Sequence, residues 1–249
     1  MGSQVSRASN RGGGGPSGRR WSQPRGRGAR HPVLIFHGIG DSPRRVGIEE
    51  QRYWCPRREW PGIADVLAEA VHGGTRVELT FDDGNASDVS YALPALVERG
   101  LTATFLVCAA RLGRSGYLDA RALLLLRQAG MAVGSHGWNH VDLRPLSDIE
   151  LVHETDDSQV RIAEACESAV DRFSVPFGSY DRRVLRRLRG YSTVYTSDAT
   201  NAVAHAWLVP RWTYEQGWTP LSVERLLVAG EPLRHRWRQK SAMAVKRWR

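Results

Sequence analysis

No stretch of this 249-residue chain approaches the ~20 consecutive apolar residues of a membrane-spanning helix, so no spanning segment is expected. Cysteine is scarce. The three present, Cys55, Cys108 and Cys166, lie far apart and form no CxxC pair, which excludes a secreted disulfide framework and fits a reducing compartment. Twin Arg19 and Arg20 are followed by the polar run WSQPRGRGARHP, where a signal peptide needs an apolar one; the expected location is the cytoplasm.

Acid is missing from both ends. Residues 1–31 hold seven Arg and residues 234–249 hold seven Lys or Arg, with no Asp or Glu in either span; residues 32–233 then carry 21 basic against 26 acidic side chains. The formal charge of +9 is therefore a property of the tails, and the part that can fold is mildly acidic. With no folded nucleic-acid motif beside this charge, no specific nucleic acid is expected, and the tails read as solvated arms able to contact anionic surfaces.

The first 31 residues are rich in Gly, Ser, Arg and Pro and cannot bury enough apolar surface to offset chain entropy; they are expected to be disordered. One domain over 32–233 and a basic tail over 234–249 complete the expected organisation. The domain opens on Val33-Leu34-Ile35-Phe36, an apolar run suited to a strand buried on both faces. Strand-like and helix-like segments then alternate: strands near 76–81, 102–107, 131–134, 170–173, 192–195 and 207–209, helices near 89–99, 119–129, 146–168, 182–188 and 222–228. Ser147 with Glu150 can form a capping box at the head of the longest helix. This βαβ rhythm gives about seven parallel strands and fits either a barrel or an open doubly wound sheet.

Chemistry gathers at strand ends. Val77–Phe81 runs into Asp82-Asp83-Gly84, and two adjacent carboxylates repel unless a cation or a raised pKa relieves them; a solvated turn accounts for the tripeptide alone. His136 and His140, four residues apart, follow a second apolar run and suit a metal if the segment turns helically. One carboxylate and two imidazoles form the three-ligand open set of catalytic zinc.

The succession Thr80-Phe81-Asp82-Asp83-Gly84, His136-Gly137-Trp138-Asn139-His140 and Pro176-Phe177-Gly178-Ser179-Tyr180 resembles the polysaccharide deacetylase family, the NodB-homology or carbohydrate esterase 4 group, over roughly residues 75–210. Val33–Ile39, with His37-Gly38, looks like the first strand of members that begin with an aromatic-His-Gly pattern. The resemblance implies a distorted TIM-like (β/α)7 barrel and a divalent metal, commonly Zn2+, on Asp83, His136 and His140. It implies Asp82 as general base and Phe177 as bearer of an oxyanion-binding N–H, flanked by Pro176 and Gly178. The expected substrate is an N-acetylated amino sugar in a glycan or glycolipid; a catalytically weak glycan-binding protein of the same fold is the alternative. Tyr180 and Trp138 are the aromatic faces a sugar could stack on.

Three departures from the family pattern stand out. Ser174 replaces the Arg that usually steadies the base, and Arg211 either reaches the site from a late strand or lies on the surface. Gly137 replaces the usual Ser or Thr after the first His, removing one loop hydrogen bond. Where the family pattern places a Leu-x-His to protonate the leaving amine, the matching strand reads His205-Ala206-Trp207-Leu208-Val209-Pro210-Arg211, and Arg, with a pKa above ~12, is a poor substitute. His37 is the expected acid, because it follows the first strand; His205 is the other candidate.

Overall fold

The computed structural model describes residues 29–42, 47–229 and 231–248. Eight parallel strands form one sheet: β1 (Val33–Phe36), β2 (Glu78–Asp83), β3 (Thr104–Val107), β4 (Ala132–Ser135), β5 (Arg172–Ser174), β6 (Thr193–Thr196), β7 (Leu208–Pro210) and β8 (Trp212–Thr213). Their order is β7-β6-β5-β4-β3-β2-β1-β8. Only Arg211 separates β7 from β8, so one stretch of chain pairs with β6 through Leu208–Pro210 and with β1 through Trp212–Thr213. That bridge brings the two sheet edges together. The result is a nearly closed barrel of seven strands with the last one broken, the distorted TIM-like (β/α)7 form rather than an open doubly wound sheet. Pro210, which has no N–H to give a ladder, sits next to the break.

Helices α1 (Trp60–His72), α2 (Leu93–Glu98), α3 (Ala120–Gln128), α4 (Asp148–Val152), α5 (Ser158–Cys166), α6 (Arg182–Arg187), α7 (Pro220–Ala229) and α8 (Leu233–Trp248) cover the barrel. Strand β1 is buried at every position, and its Phe36 stacks on Phe81 of β2, which stacks in turn on Phe105 of β3. A shared apolar core runs through strands and helices alike. Asp119 caps α3 and Asp181 caps α6, each accepting from a backbone N–H three residues on. The capping box of Ser147 and Glu150 is present. The long helix expected over 146–168 is α4 and α5 joined by a π-helical segment, His153–Asp157.

Two expectations change. The Arg/Gly-rich arm lies outside the described residues up to position 28, but Arg30–His31 form a short strand antiparallel to Ala202–Val203. The basic tail is not a solvated arm: α8 packs on the barrel, with Met243 buried and Lys246 reaching Asp198. All three cysteines are buried and unpaired. No helix among the described residues is long and apolar enough to cross a membrane.

Candidate active site

Register places the chemistry. Asp83, the last residue of β2, lies level with Val107, and Val107 lies level with Ser135, the last residue of β4. The residue after Ser135 is His136, so residues 53 apart in sequence, Asp83 and His136, deliver a carboxylate and an imidazole to the same end of the barrel. His140 returns to them through a turn in which it adopts a left-handed φ of 59°. Asp83 (φ 79°) and Phe177 (φ 58°) are likewise left-handed, a conformation that costs a non-glycine residue ~1–3 kcal/mol and that clusters at functional sites. Gly84 follows Asp83 at φ 70°, and a Cβ there would meet Val107 Cγ1 at 2.9 Å; no other residue type fits that turn.

The ligand atoms of Asp83, His136 and His140 all lie within 4.8 Å of one another. Asp83 Oδ1 is 3.5 Å from His140 Nε2 and 4.0 Å from His136 Nε2. His136 Nδ1 lies 2.8 Å from the Ser174 carbonyl, which can only accept, so Nδ1 carries the hydrogen and Nε2 keeps its lone pair towards the carboxylates. Burial pushes both imidazoles down, His140 to about 3, so they stay neutral at neutral pH. Burial pushes Asp83 up, but electrostatic interaction with His140, His37 and Arg111 outweighs it and holds the carboxyl well below the usual range. A carboxylate and two neutral imidazoles with inward lone pairs, one already fixed by a backbone carbonyl, suit a divalent cation.

Asp82 is held apart from that trio. Arg211 Nη1 and Nη2 donate to its Oδ1 and Oδ2 at 2.8 Å each. The same guanidinium donates to Thr80 Oγ1, Ser174 Oγ and the Thr196 carbonyl, so all five of its N–H groups are used. Ser174 Oγ donates to Asp82 Oδ2 at 2.9 Å. Arg211 is thus buried against the carboxylate and is not a surface residue. Burial raises Asp82, but Arg211 and then His136 outweigh it and hold the carboxyl at about 2.

A cleft of about 500 Å³ opens over these groups, lined also by His37, Tyr53, Phe177 and Gly178. His37 sits beside Tyr53, ring centroids 5.1 Å apart, and its Nδ1 is buried with no partner among the described residues. His205 lines a different cavity at the opposite barrel end, with Glu78 and Arg172 at strand starts, and is far from the carboxylates. Phe177 is exposed and lies edge-on to His140 at 4.6 Å.

Two aromatic residues named for sugar stacking are placed elsewhere. Trp138 packs on His153 at 4.3 Å, and Tyr180 is buried with its hydroxyl donating to Asp198. Neither lines the cleft, and Pro176 is buried beneath it. Pro176 and Tyr180 shape the loop that presents Phe177.

Sequence reading missed three residues. Arg111 pairs with Asp83 Oδ1 at 2.7 Å, and its position just past β3 was the available signal. Glu154, buried in the π-helical segment, accepts from the Trp138 and Asn139 N–H groups and from Asn139 Nδ2, at 2.7 to 3.1 Å. It supplies the loop support that Gly137 cannot, and a Cβ on Gly137 would meet Glu154 Oε2 at 2.9 Å. Asp88 is wholly buried, with no side-chain partner for its carboxyl oxygens among the described residues; burial and the charges of Asp83 and Asp82 push its carboxyl well above the usual range.

The profile of the family described as "Polysaccharide deacetylase" matches residues 70–195. The chain is 26% identical over 182 residues to "Putative polysaccharide deacetylase YxkH" of Bacillus subtilis (strain 168), covering 68% of this chain and 65%, just under two thirds, of that protein. Among solved structures it resembles BC0361, a polysaccharide deacetylase from Bacillus cereus, with a TM-score of 0.70, 17% identity and coverage of 80% of this chain and 69% of that one. The deacetylase PplD of Streptococcus pyogenes in complex with acetate gives a TM-score of 0.68 at 19% identity, covering 82% of this chain and 100% of that chain. IcaB from Ammonifex degensii gives 0.62 at 22%, covering 83% and 98%. At these identities the structural likenesses establish the barrel fold alone.

Proposed function

The chain belongs to the polysaccharide deacetylase family, and from that premise we propose that it is a metal-dependent hydrolase removing N-acetyl groups from an amino sugar in a polysaccharide, oligosaccharide or glycolipid. The observation that carries this reading is the division of labour between adjacent aspartates: Asp83 converges with His136 and His140, while Asp82 is locked to Arg211 with its charge kept. A divalent cation, Zn2+ by the donor set, would be held by Asp83, His136 and His140 and would supply Lewis-acid polarisation and a more acidic water.

The chain's own groups do the rest. Asp82, anionic and fixed in orientation, accepts the proton of the attacking water. The Phe177 N–H, preorganised by its left-handed turn, faces the developing oxyanion. His37, at the cleft wall, passes a proton to the departing amine. Arg111 keeps Asp83 oriented and ionised.

Purified protein loaded with zinc should release acetate from N-acetylglucosamine oligomers. Bound zinc without acetate release from any N-acetylated sugar, acetyl ester or acetylated peptide would overturn the hydrolase reading. The late strand Leu208-Val209-Pro210, where the family pattern has Leu-x-His, carries no histidine, and this favours a second reading, a glycan-binding protein with little turnover. Saturable sugar affinity with no acetate release singles that one out.

A further inference from the structure

The C-terminal helix α8 has two unlike faces. His235, Gln239, Met243 and Lys246, at steps of four, four and three, turn towards the barrel: His235 stacks on Trp212 at 5.1 Å, Met243 is buried, and Lys246 donates to Asp198 Oδ1 and to the Gly178 carbonyl. On the outward face Leu233, Trp237, Ser241 and Val245 form one stripe at 3.6 residues per turn, with Ala244 and Trp248 at the edge where the helix meets a cavity beside Leu208. The two tryptophans are 66% and 81% exposed. Arg238 borders the stripe on one side and Lys240 and Arg247 on the other, while Arg234 falls within it between Ser241 and Val245; the helix carries no acid.

A second cationic feature adjoins the first. Arg182, Arg186 and Arg189 face Arg247 across a groove that Trp207 and Trp248 also line. Arg189 lies over Trp207 at 4.4 Å, and among the described residues none of these four arginines is ion-paired. The neighbours Arg183 and Arg187 are paired, with Asp148 and Asp156, so the unpaired cations are those on the groove.

We infer that this face of α6 and α8 is a docking surface for an anionic lipid bilayer. A helix lying in the bilayer interface needs an apolar, tryptophan-bearing stripe to sink below the headgroups and flanking Lys and Arg to meet their phosphates. α8 has both in that order, and the arginine groove extends the cationic border. A nucleic acid would use the arginines but leave Leu233, Val245 and the outward tryptophans without a role. Lys246 ties α8 to Gly178 at the cleft rim, so docking sets the cleft at a fixed attitude to the membrane.

The test uses the full chain with Ser241→Cys carrying a nitrobenzoxadiazole dye, since all three native cysteines are buried. Vesicles of phosphatidylglycerol and phosphatidylcholine should brighten and blue-shift the dye, while pure phosphatidylcholine vesicles should not; the same dye at exposed Gln128→Cys should stay silent. Trp237→Ser with Trp248→Ser should weaken the vesicle affinity at least tenfold. Changing Arg182, Arg186, Arg189 and Arg247 to Gln should do the same, each set leaving acetate release from a soluble oligomer unchanged. The proposal fails if the dye is silent with anionic vesicles or responds equally to neutral ones. It fails too if the tryptophan variant, still folded by its melting curve, binds as the parent does, or if duplex DNA evokes the same dye response.

Discussion

Arg211 grips Asp82 with two parallel hydrogen bonds of 2.8 Å, from the break between β7 and β8, 129 residues further along the chain. Both side chains are buried, so neither charge has water to fall back on. Removing one partner from such a pair costs ~3–5 kcal/mol. Arg211→Met should therefore lower the melting temperature and let the Asp82 carboxyl rise from about 2. The sign follows from the depressed value: the pair stabilises the fold fully above the ordinary Asp value near ~3.9, and its contribution is lost as pH falls from there through about 2. In the variant the acid limb of the kcat/KM profile should move to higher pH, with kcat down ~10²–10⁴-fold as the base loses its orientation. Arg211→Lys should recover only part, since an ammonium cannot bind both oxygens in one plane. An unmoved acid limb would show that Asp82 is not the base.

Metal removal separates the two aspartates. Chelation should abolish acetate release, and zinc should restore it and raise the melting temperature, by ~2.7 kcal/mol of stability at a hundredfold excess over Kd. Asp83→Asn, His136→Ala and His140→Ala should lose the zinc-dependent rise; Asp82→Asn should keep it while losing turnover. With His140 held at about 3 and His136 also lowered, zinc displaces no imidazole proton near neutrality. Its affinity should begin to fall only at a pH below ~6.5, where a free imidazole protonates. Calorimetry in buffers of different ionisation heat would expose the contrary result, a proton released per zinc bound.

Glu154 holds the loop between the two histidines, and its removal should act through them. Glu154→Ala leaves the N–H groups of Trp138 and Asn139 without their acceptor, at up to ~1–3 kcal/mol for each of these partly buried bonds. Zinc affinity should drop ~10–100-fold, the usual effect of losing support around metal ligands. Excess zinc should then restore most of kcat with KM for the sugar little changed. A kcat that stays low at saturating zinc would mean that Glu154 acts on the chemistry itself. Glu154→Gln, which retains one acceptor oxygen, should fall between.

How far the sequence could be read depended on how local each signal was. The βαβ rhythm, the capping box at Ser147 and the strand-end motifs are all written within a few residues, and the barrel carries them near their expected positions. Helix α1 went unread because Pro61 and Gly62 look like a turn, although Pro is well tolerated in a first helical turn. α8 read as a charged tail because what orders it, Lys246 against Asp198 and His235 against Trp212, joins distant segments. Arg211 stood between a surface residue and a site residue until the register of β7 and β8 was known. Trp138 and Tyr180 show the converse limit: an aromatic residue inside a motif does not declare which side of its loop it faces.

The proton donor is the last point on which the two functional readings diverge. His37 is the one histidine of the cleft outside the metal trio, and its Nδ1 has no partner among the described residues. The leaving amine of an amide must be protonated as the C–N bond breaks, and a positioned acid is worth ~10²–10⁴-fold. His37→Ala should therefore lower kcat on an N-acetyl sugar by that factor while leaving zinc affinity intact. Its effect on an activated acetyl ester such as 4-nitrophenyl acetate should be small, because 4-nitrophenolate departs without a proton. His205→Ala, at the other end of the barrel, should change neither rate. Equal losses on amide and ester would place His37 in substrate positioning rather than proton transfer, and full activity of His37→Ala on the amide would remove it from the mechanism.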